Sequence, residues 1–489
     1  MKRVYKILSY TALALTLFQS CADDYLETEP TRFITKDRLD ESIKYKPDLL
    51  DGTVAGLYSL MVQEFTGGTQ LHEDFGQKAY DIYMDMLCGD MELANDNFNK
   101  YIGIDRMTST LDNTSTRNYM PWRYYYRIIF NANIVIDASL DEDGEPKSED
   151  VYSNLGQAQA MRAYAYYYLA NLFANEYDPA KKILPIYKNV TDKSVGLSTT
   201  QEVYDLILSD LEGAKKYLKN FDRGSAAANK NAINLDVVNG MLAYVYSTVG
   251  RYDDAVKAAD AVIATGKYEI LPMDELTTNG FNNVATESWI WGFDLTVGTG
   301  LGLVSWWGQV DYFTYSYAFV GDYKTMDEGL YESMRSTDKR RKQFVAKDGD
   351  YLPIYKFYDP RRIPQKQDII TCDYVFMRIE EMYLLKAEAA AKGGADQMAR
   401  EALMELVSKR DTDPAYVSAL SDKKLKDEIY KQLRIELWGE GKSYLAMKRN
   451  KATITRKGRR YENGSFSYND DRLTFVIPRN EIQNNPNID

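Results

Sequence analysis

The chain has 489 residues with a hydrophobic content of 45%, enough to bury a large core. Its net charge of −12 excludes a nucleic-acid binder, which needs a basic stripe to displace counterions. A single histidine, His72, excludes a histidine-rich zinc site and leaves one imidazole for any serine triad; it reads as a surface or loop residue.

In chain order, the first element is a targeting segment. Lys2, Arg3 and Lys6 precede an apolar run of twelve residues, Ile7 to Phe18, and Ser20 stands before Cys21. Twelve apolar residues are too few to span a bilayer, so residues 1–20 read as an export signal. Cys21 at the cleavage point predicts a lipoprotein whose thiol is acylated; a secreted protein with an incidental cysteine is the alternative. Residues 21–40, opening ADDYLETEPT after the cysteine, read as a solvated tether. One folded domain is expected over 41–489. Beyond Cys21 only Cys88 and Cys372 remain, so stability does not depend on a disulfide framework, though the two could pair.

Apolar spacing predicts helices over Ser42 to Met61 and Asp81 to Leu93. From Gly89, GDMELANDNFNKY is amide-rich and reads as a long surface loop. Tyr119 to Ala138 is a strongly apolar helix in which Asn133 needs a hydrogen-bond partner. The acidic segment DEDGEPKSED that follows lacks the ligand ladder of a calcium loop and reads as solvated; a structural calcium ion is conceivable there but unsupported, and no cofactor is expected. Gln157 to Phe173 and Gln201 to Leu218 form a helical pair, the second opened by Ser198, Thr199 and Thr200 as capping candidates.

Leu235 to Tyr268 carries the spacing of a tetratricopeptide hairpin: Leu242, Ala243, Tyr246, then Gly250, Tyr252 and Ala255. Small Ala243 and Ala255 allow close helix approach, although Asn239 and Ala259 depart from the pattern and leave an ordinary antiparallel pair as the alternative. Arg378 to Lys409 repeats the spacing through Ala387, Gly394 and Ala399, and a last helix is predicted over Leu425 to Lys448. Between these pairs, an insertion over about 271–371 is rich in glycine, tryptophan and tyrosine. In it ESWIWGFDLT reads as a short strand. The predicted fold is mainly α: helical hairpins as scaffold, with a loop-rich insertion carrying short strands.

The chain resembles the SusD/RagB family of outer-membrane nutrient-binding lipoproteins. The resemblance is carried by YMPWRYYYRIIFNANIVI at 119, QAQAMRAYAYYYLANLF at 157, VYDLILSDLEGA at 203, the hairpin at 242, MRIEEMYLLKAEAAAK at 377, IYKQLRIELWGEGKSYLAMKR at 429 and IPRNEIQNNPNI at 477. Lys431 and Gln432 depart from the family pattern, whereas Arg434, Glu436, Glu440 and Gly441 keep it. Arg378, Glu380, Glu388, Arg434 and Glu440 read as structural charges paired inside the core. The resemblance implies a non-enzymatic lipoprotein on the cell exterior that captures glycan and hands it to a SusC-like TonB-dependent transporter, working as a lid over the barrel.

A sugar presents an apolar face and a rim of hydroxyls, so its site needs aromatic platforms beside groups that donate and accept hydrogen bonds. Trp306 and Trp307 are the leading platform candidates, with Tyr312, Tyr315 and Tyr317 nearby; packing of the insertion is the alternative for each. Asp90, Asn95, Asp96 and Asn97 are the polar candidates, against a solvated loop. Peptide capture by the same fold and a scaffold for protein partners are the rival functions. A glycoside hydrolase needs carboxylates about 5 to 10 Å apart, and 72 acidic residues supply many accidental pairs without supporting one.

Overall fold

A computed structural model describes residues 49–190, 193–364, 370–457 and 463–488. The signal segment, Cys21, the tether and the start of the first predicted helix, 42–48, lie outside the described residues. From Leu50 onward the chain is one compact unit.

Eleven helices of eight or more residues are described: α1 Leu49–Leu60, α2 Gln77–Leu87, α3 Thr116–Ser139, α4 Tyr152–Phe173, α5 Thr200–Tyr217, α6 Leu235–Thr248, α7 Tyr252–Ile263, α8 Ile379–Lys392, α9 Asp396–Val407, α10 Asp422–Glu436 and α11 Lys442–Arg449. Every residue of α2 is buried, which makes it the central helix. Rings join α3 to α4, with Tyr125 stacked on Tyr168 at 5.7 Å and Trp122 edge-on to Phe173 at 4.9 Å. Asn133 finds its partners: its amide donates to the Tyr187 carbonyl (3.1 Å) and its oxygen accepts from Arg162 Nη1 (2.8 Å). Arg162 also grips Asp210, tying α4 to α5.

The α5 N-terminus is closed by a reciprocal cap. Glu202 N–H donates to Thr199 Oγ1 (3.2 Å), and Thr199 N–H donates to the Glu202 carboxylate (2.7 Å). In the α6–α7 hairpin Ala243, Tyr246, Ala255 and Ala259 are buried, and Gly250 makes the turn at φ 79°. The α8–α9 pair repeats this packing with Ala387, Ala399 and Leu403, and its core runs on into Leu425, Ile429 and Leu433 of α10.

The last predicted helix is two. Leu437 to Gly441 interrupts it because Gly439 and Gly441 adopt left-handed φ of +83° and +71°. A Cβ at Gly441 would lie 2.8 Å from Asp81 Cα, so the chain turns there against α2. A second difference concerns the loop from Gly89. Met91–Leu93 (β1) is a buried strand, paired with Lys324–Met326 (β5), which pairs with Asp350–Leu352 (β7) and through it with Val345–Lys347 (β6). Lys182–Pro185 (β2) pairs antiparallel with Leu197–Thr199 (β3), and the predicted strand exists as Trp289–Phe293 (β4), antiparallel to Tyr374–Arg378 (β8). Cys88 and Cys372 are buried free thiols, not a disulfide. Residues 141–150 form an exposed turn in which Asp141 accepts from the Asp143 and Glu145 backbone. No group of His, Cys, Asp or Glu among the described residues is placed to hold a metal ion.

Buried charges hold the insertion to the scaffold. The Glu436 carboxylate at the end of α10 accepts from Arg340 (2.9 Å), Arg378 (2.7 Å) and Arg410 (twice, 2.8 Å). Arg378 also grips Glu440 and Glu380. Glu388 pairs with Arg449 and Lys392. Burial alone would raise the Glu436 carboxyl, yet Arg410, Arg378 and Arg340 hold it well below its usual 4.5.

Removing that carboxylate leaves three buried guanidiniums short of a partner, so Glu436→Gln is expected to cost about 3–5 kcal/mol in denaturant unfolding at pH 7. A carboxyl depressed in the fold stabilises fully above its unfolded value and loses that contribution as pH falls below it. The deficit of the variant should therefore shrink between pH 5 and pH 3. Equal stability of the two proteins at pH 7 would contradict the role assigned to Glu436.

Candidate functional site

The amide-rich loop after β1 and the turn before β5 come together, and carboxylates fasten them. Asp322, fully buried, accepts from the backbone N–H groups of Asn97 (2.9 Å) and Phe98 (3.1 Å). Asn95 donates its side-chain amide to the Gly321 carbonyl (2.8 Å), and Ala94 N–H donates to the Tyr323 carbonyl. At the other end Glu73 accepts from Tyr101 N–H (2.9 Å) and, bidentately, from Arg117 (2.6 and 2.7 Å), which reaches on to the Asn99 carbonyl. Asn99 and Tyr101 sit at φ 55° and 61°. Asn tolerates that conformation, but for a ring-bearing residue it costs on the order of 1–3 kcal/mol and persists only where neighbours hold it. The loop is therefore set before any ligand arrives.

Phe98 projects from it, 48% exposed, and meets Tyr317 edge-on at 5.4 Å. The Tyr317 hydroxyl bonds His72 Nδ1 (2.8 Å), and the Lys100 ammonium lies 5.7 Å from the Tyr317 ring. Partial burial and Lys100 lower the His72 pKa from 6.5, so the imidazole is neutral at pH 7. Behind the ring, buried Lys324 donates to Gln309 Oε1 (3.1 Å), and burial brings its pKa down to about 8. Tyr315, 49% exposed, stands on the same turn. That turn is anchored by Asp311, whose oxygens accept from Phe313 N–H (2.9 Å) and Asp359 N–H (3.0 Å). Burial pushes the Asp311 carboxyl up to about 7.

Several sequence candidates meet here: Asn95, exposed Asn97 and exposed Tyr315, with Asp96 half-buried beside them. Tyr312 belongs to a neighbouring ring cluster, stacked on Tyr323 at 6.3 Å and tilted against Phe319. Trp306 and Trp307 are not platforms. Ser305 accepts from Gly308 N–H (3.0 Å) and starts a short helix, Trp306–Val310, that lies wholly inside. Trp306 packs edge-on against Phe357, and Trp307 donates to the Cys372 carbonyl (2.7 Å). Asp90 is also interior: it pairs with Arg434 (2.5 Å), so it is no ligand group. Tyr317 is among the sequence candidates, but its partner His72, Phe98 and Asp322 escaped the sequence reading. An aromatic set among amides, NDNFN, was the available signal for Phe98.

The arrangement offers the exposed rings of Phe98 and Tyr315 beside exposed Asn97 and a half-buried, neutral imidazole, with the Tyr317 ring buried behind them and the Lys100 ammonium alongside. Comparison with known proteins adds the family. A SusD-like family model described as "Starch-binding associating with outer membrane" matches residues 55–233, and the SusD family model matches 309–489. SusD-like protein P38 of Formosa agariphila is 24% identical over 394 residues, 69% of this chain and 73% of that one. A SusD-like carbohydrate-binding protein of Bacteroides vulgatus superposes with a TM-score of 0.75 at 23% identity, over 90% of this chain and 96% of the other. Surface glycan-binding protein A of Bacteroides thetaiotaomicron, solved with laminarihexaose, gives 0.68 at 15% identity, over 89% and 97%.

The fastening of the loop can be measured without a ligand. Hydrogen bonds to a charged acceptor contribute roughly 1.5–3 kcal/mol, so Asp322→Ala should speed amide exchange at Asn97 and Phe98 roughly tenfold to a hundredfold. Unchanged exchange there would mean that Asp322 does not hold the loop.

Proposed function

Because the chain belongs to the SusD family, we propose that it is a non-catalytic, carbohydrate-binding lipoprotein of the outer membrane that captures glycan on the Phe98–Tyr315 surface. The observation that carries this reading is the pair of half-exposed rings on loops whose backbones are fixed by buried carboxylates. Ring C–H faces of a sugar stack on Phe98 and Tyr315, while exposed Asn97 and half-buried His72, held by the buried Tyr317 hydroxyl, supply polar groups for its hydroxyls. The glucan held by the Bacteroides thetaiotaomicron relative supports this class of ligand.

Cys21 is the proposed point of acylation, and no helix among the described residues is long and apolar enough to cross a membrane. In this reading the captured glycan passes to a SusC-like TonB-dependent transporter beneath the protein, and the domain boundary at about residue 41 separates tether from binding body.

Isothermal titration against laminarin, starch, other neutral polysaccharides and short peptides tests the site. One neutral glycan class should bind, and Phe98→Ala and Tyr315→Ala should each weaken it roughly three- to tenfold with the circular dichroism spectrum unchanged. Binding of glycan untouched by both substitutions would overturn the placement of the site. Binding of peptides alone would overturn the ligand class. Co-purification of a transporter barrel from cells that express both chains, lost when Cys21 and its tether are retained but the folded body is removed, checks the partnership.

A further inference from the structure

A cavity of about 690 Å³ opens on the outer side of α3, within the size range of small-ligand sites. Its floor is a ridge of rings spaced four residues apart, Trp122, Tyr126 and Phe130. Residues four apart on a helix lie above one another, so the three make a continuous strip. The ring of Tyr126 is tilted against Trp122 at 4.8 Å and meets Tyr187 edge-on at 5.9 Å, which fixes the strip against the segment before residue 190. Phe130 is 50% exposed among the described residues.

Beside the rings, on the same helix, runs a second ridge of Tyr119, Arg123 and Arg127. Arg123 is braced by the Tyr119 hydroxyl (3.3 Å) and lies against Gly68. The Arg127 guanidinium is exposed and has no hydrogen-bond or ion-pair partner among the described residues. Glu481, the one carboxylate of the lining, has its oxygens engaged by the Trp122 indole N–H (3.2 Å) and the Asn485 amide (2.9 Å). Among the described lining residues two guanidiniums stand against one carboxylate; Arg123 also lies within the field of Asp74, so Arg127 is the uncompensated charge, in a protein whose net charge is −12. Parallel aromatic and guanidinium ridges match a ligand with sugar faces on one side and anionic groups on the other, and a planar guanidinium pairs bidentately with carboxylate or sulfate.

We propose that this cavity is a second binding site, separate from the Phe98–Tyr315 surface, for an oligosaccharide bearing an anionic group, carboxylate or sulfate.

Titration of the purified protein with oligogalacturonate, sulfated laminarin and unmodified laminarin tests it, and the first two arms separate the carboxylate from the sulfate. At least one anionic ligand should bind with an affinity that falls as salt rises. Arg127→Gln should weaken that binding roughly tenfold and flatten its salt dependence, and Phe130→Ala should weaken it roughly three- to tenfold. Both side chains are exposed, so neither change threatens the fold. Phe98→Ala should leave the anionic ligand unaffected. The proposal is overturned if neither anionic ligand binds, if Arg127→Gln has no effect, or if Phe98→Ala abolishes the binding. Loss of neutral laminarin binding on Phe98→Ala belongs to the first site and bears on it alone.

Discussion

One carboxylate shared by three guanidiniums holds this molecule's two kinds of structure together. Glu436 ends α10, Arg378 ends β8, Arg410 follows α9 and Arg340 lies in the insertion. Four stretches far apart in sequence therefore converge on two oxygen atoms. Desolvating so many charges is costly, and the arrangement persists because each guanidinium finds further acceptors: Asp338 for Arg340, Glu440 and Glu380 for Arg378, and the Leu271 carbonyl for Arg410. Lys356 adds a fourth cation by donating to the carbonyls of Glu436 and Trp438. Such a knot has little tolerance for slippage. A helix register shifted by one residue would leave several charges unpaired, so the knot specifies where the glycine- and aromatic-rich insertion sits on the helices.

The helical scaffold was readable from sequence because its information is local. Periods of three and four, the Thr199–Glu202 cap and the alanine, glycine and tyrosine spacing of the α6–α7 hairpin all act within a few residues of one another. Where the reading failed, the deciding partner lay far away. The apolar period runs straight through Trp438, and only the close approach of α2 shows why Gly439 and Gly441 must turn the chain there. Met91–Leu93 looks like polar loop, since Asp90 before it and Glu92 within it are acidic. It is buried because Arg434 neutralises Asp90 from more than three hundred residues away and β5 pairs with its backbone.

The tryptophans, too, are placed by distant partners. Aromatic content in a glycine-rich stretch suggested exposed rings, yet Ser305 folds Trp306 and Trp307 into a turn of helix, and Gly308 lets that turn lie on the Leu303 backbone. Phe357 supplies the wall that both indoles pack against. Around this buried turn the exposed rings are smaller ones, Phe98 and Tyr315. Here the largest aromatic groups are buried, and lesser ones face outward.

Asp322 and Glu73 grip the exposed loop through the main-chain N–H groups of residues 97, 98 and 101, not through its side chains. The path of the chain is thus indifferent to what residue 98 carries. A different ring, an amide or a charge at that position would be presented at the same place, on the same rigid support, with no change demanded of the core. On the proposed reading, recognition and folding are therefore separate variables, and single substitutions at residue 98 would retune one while leaving the other untouched.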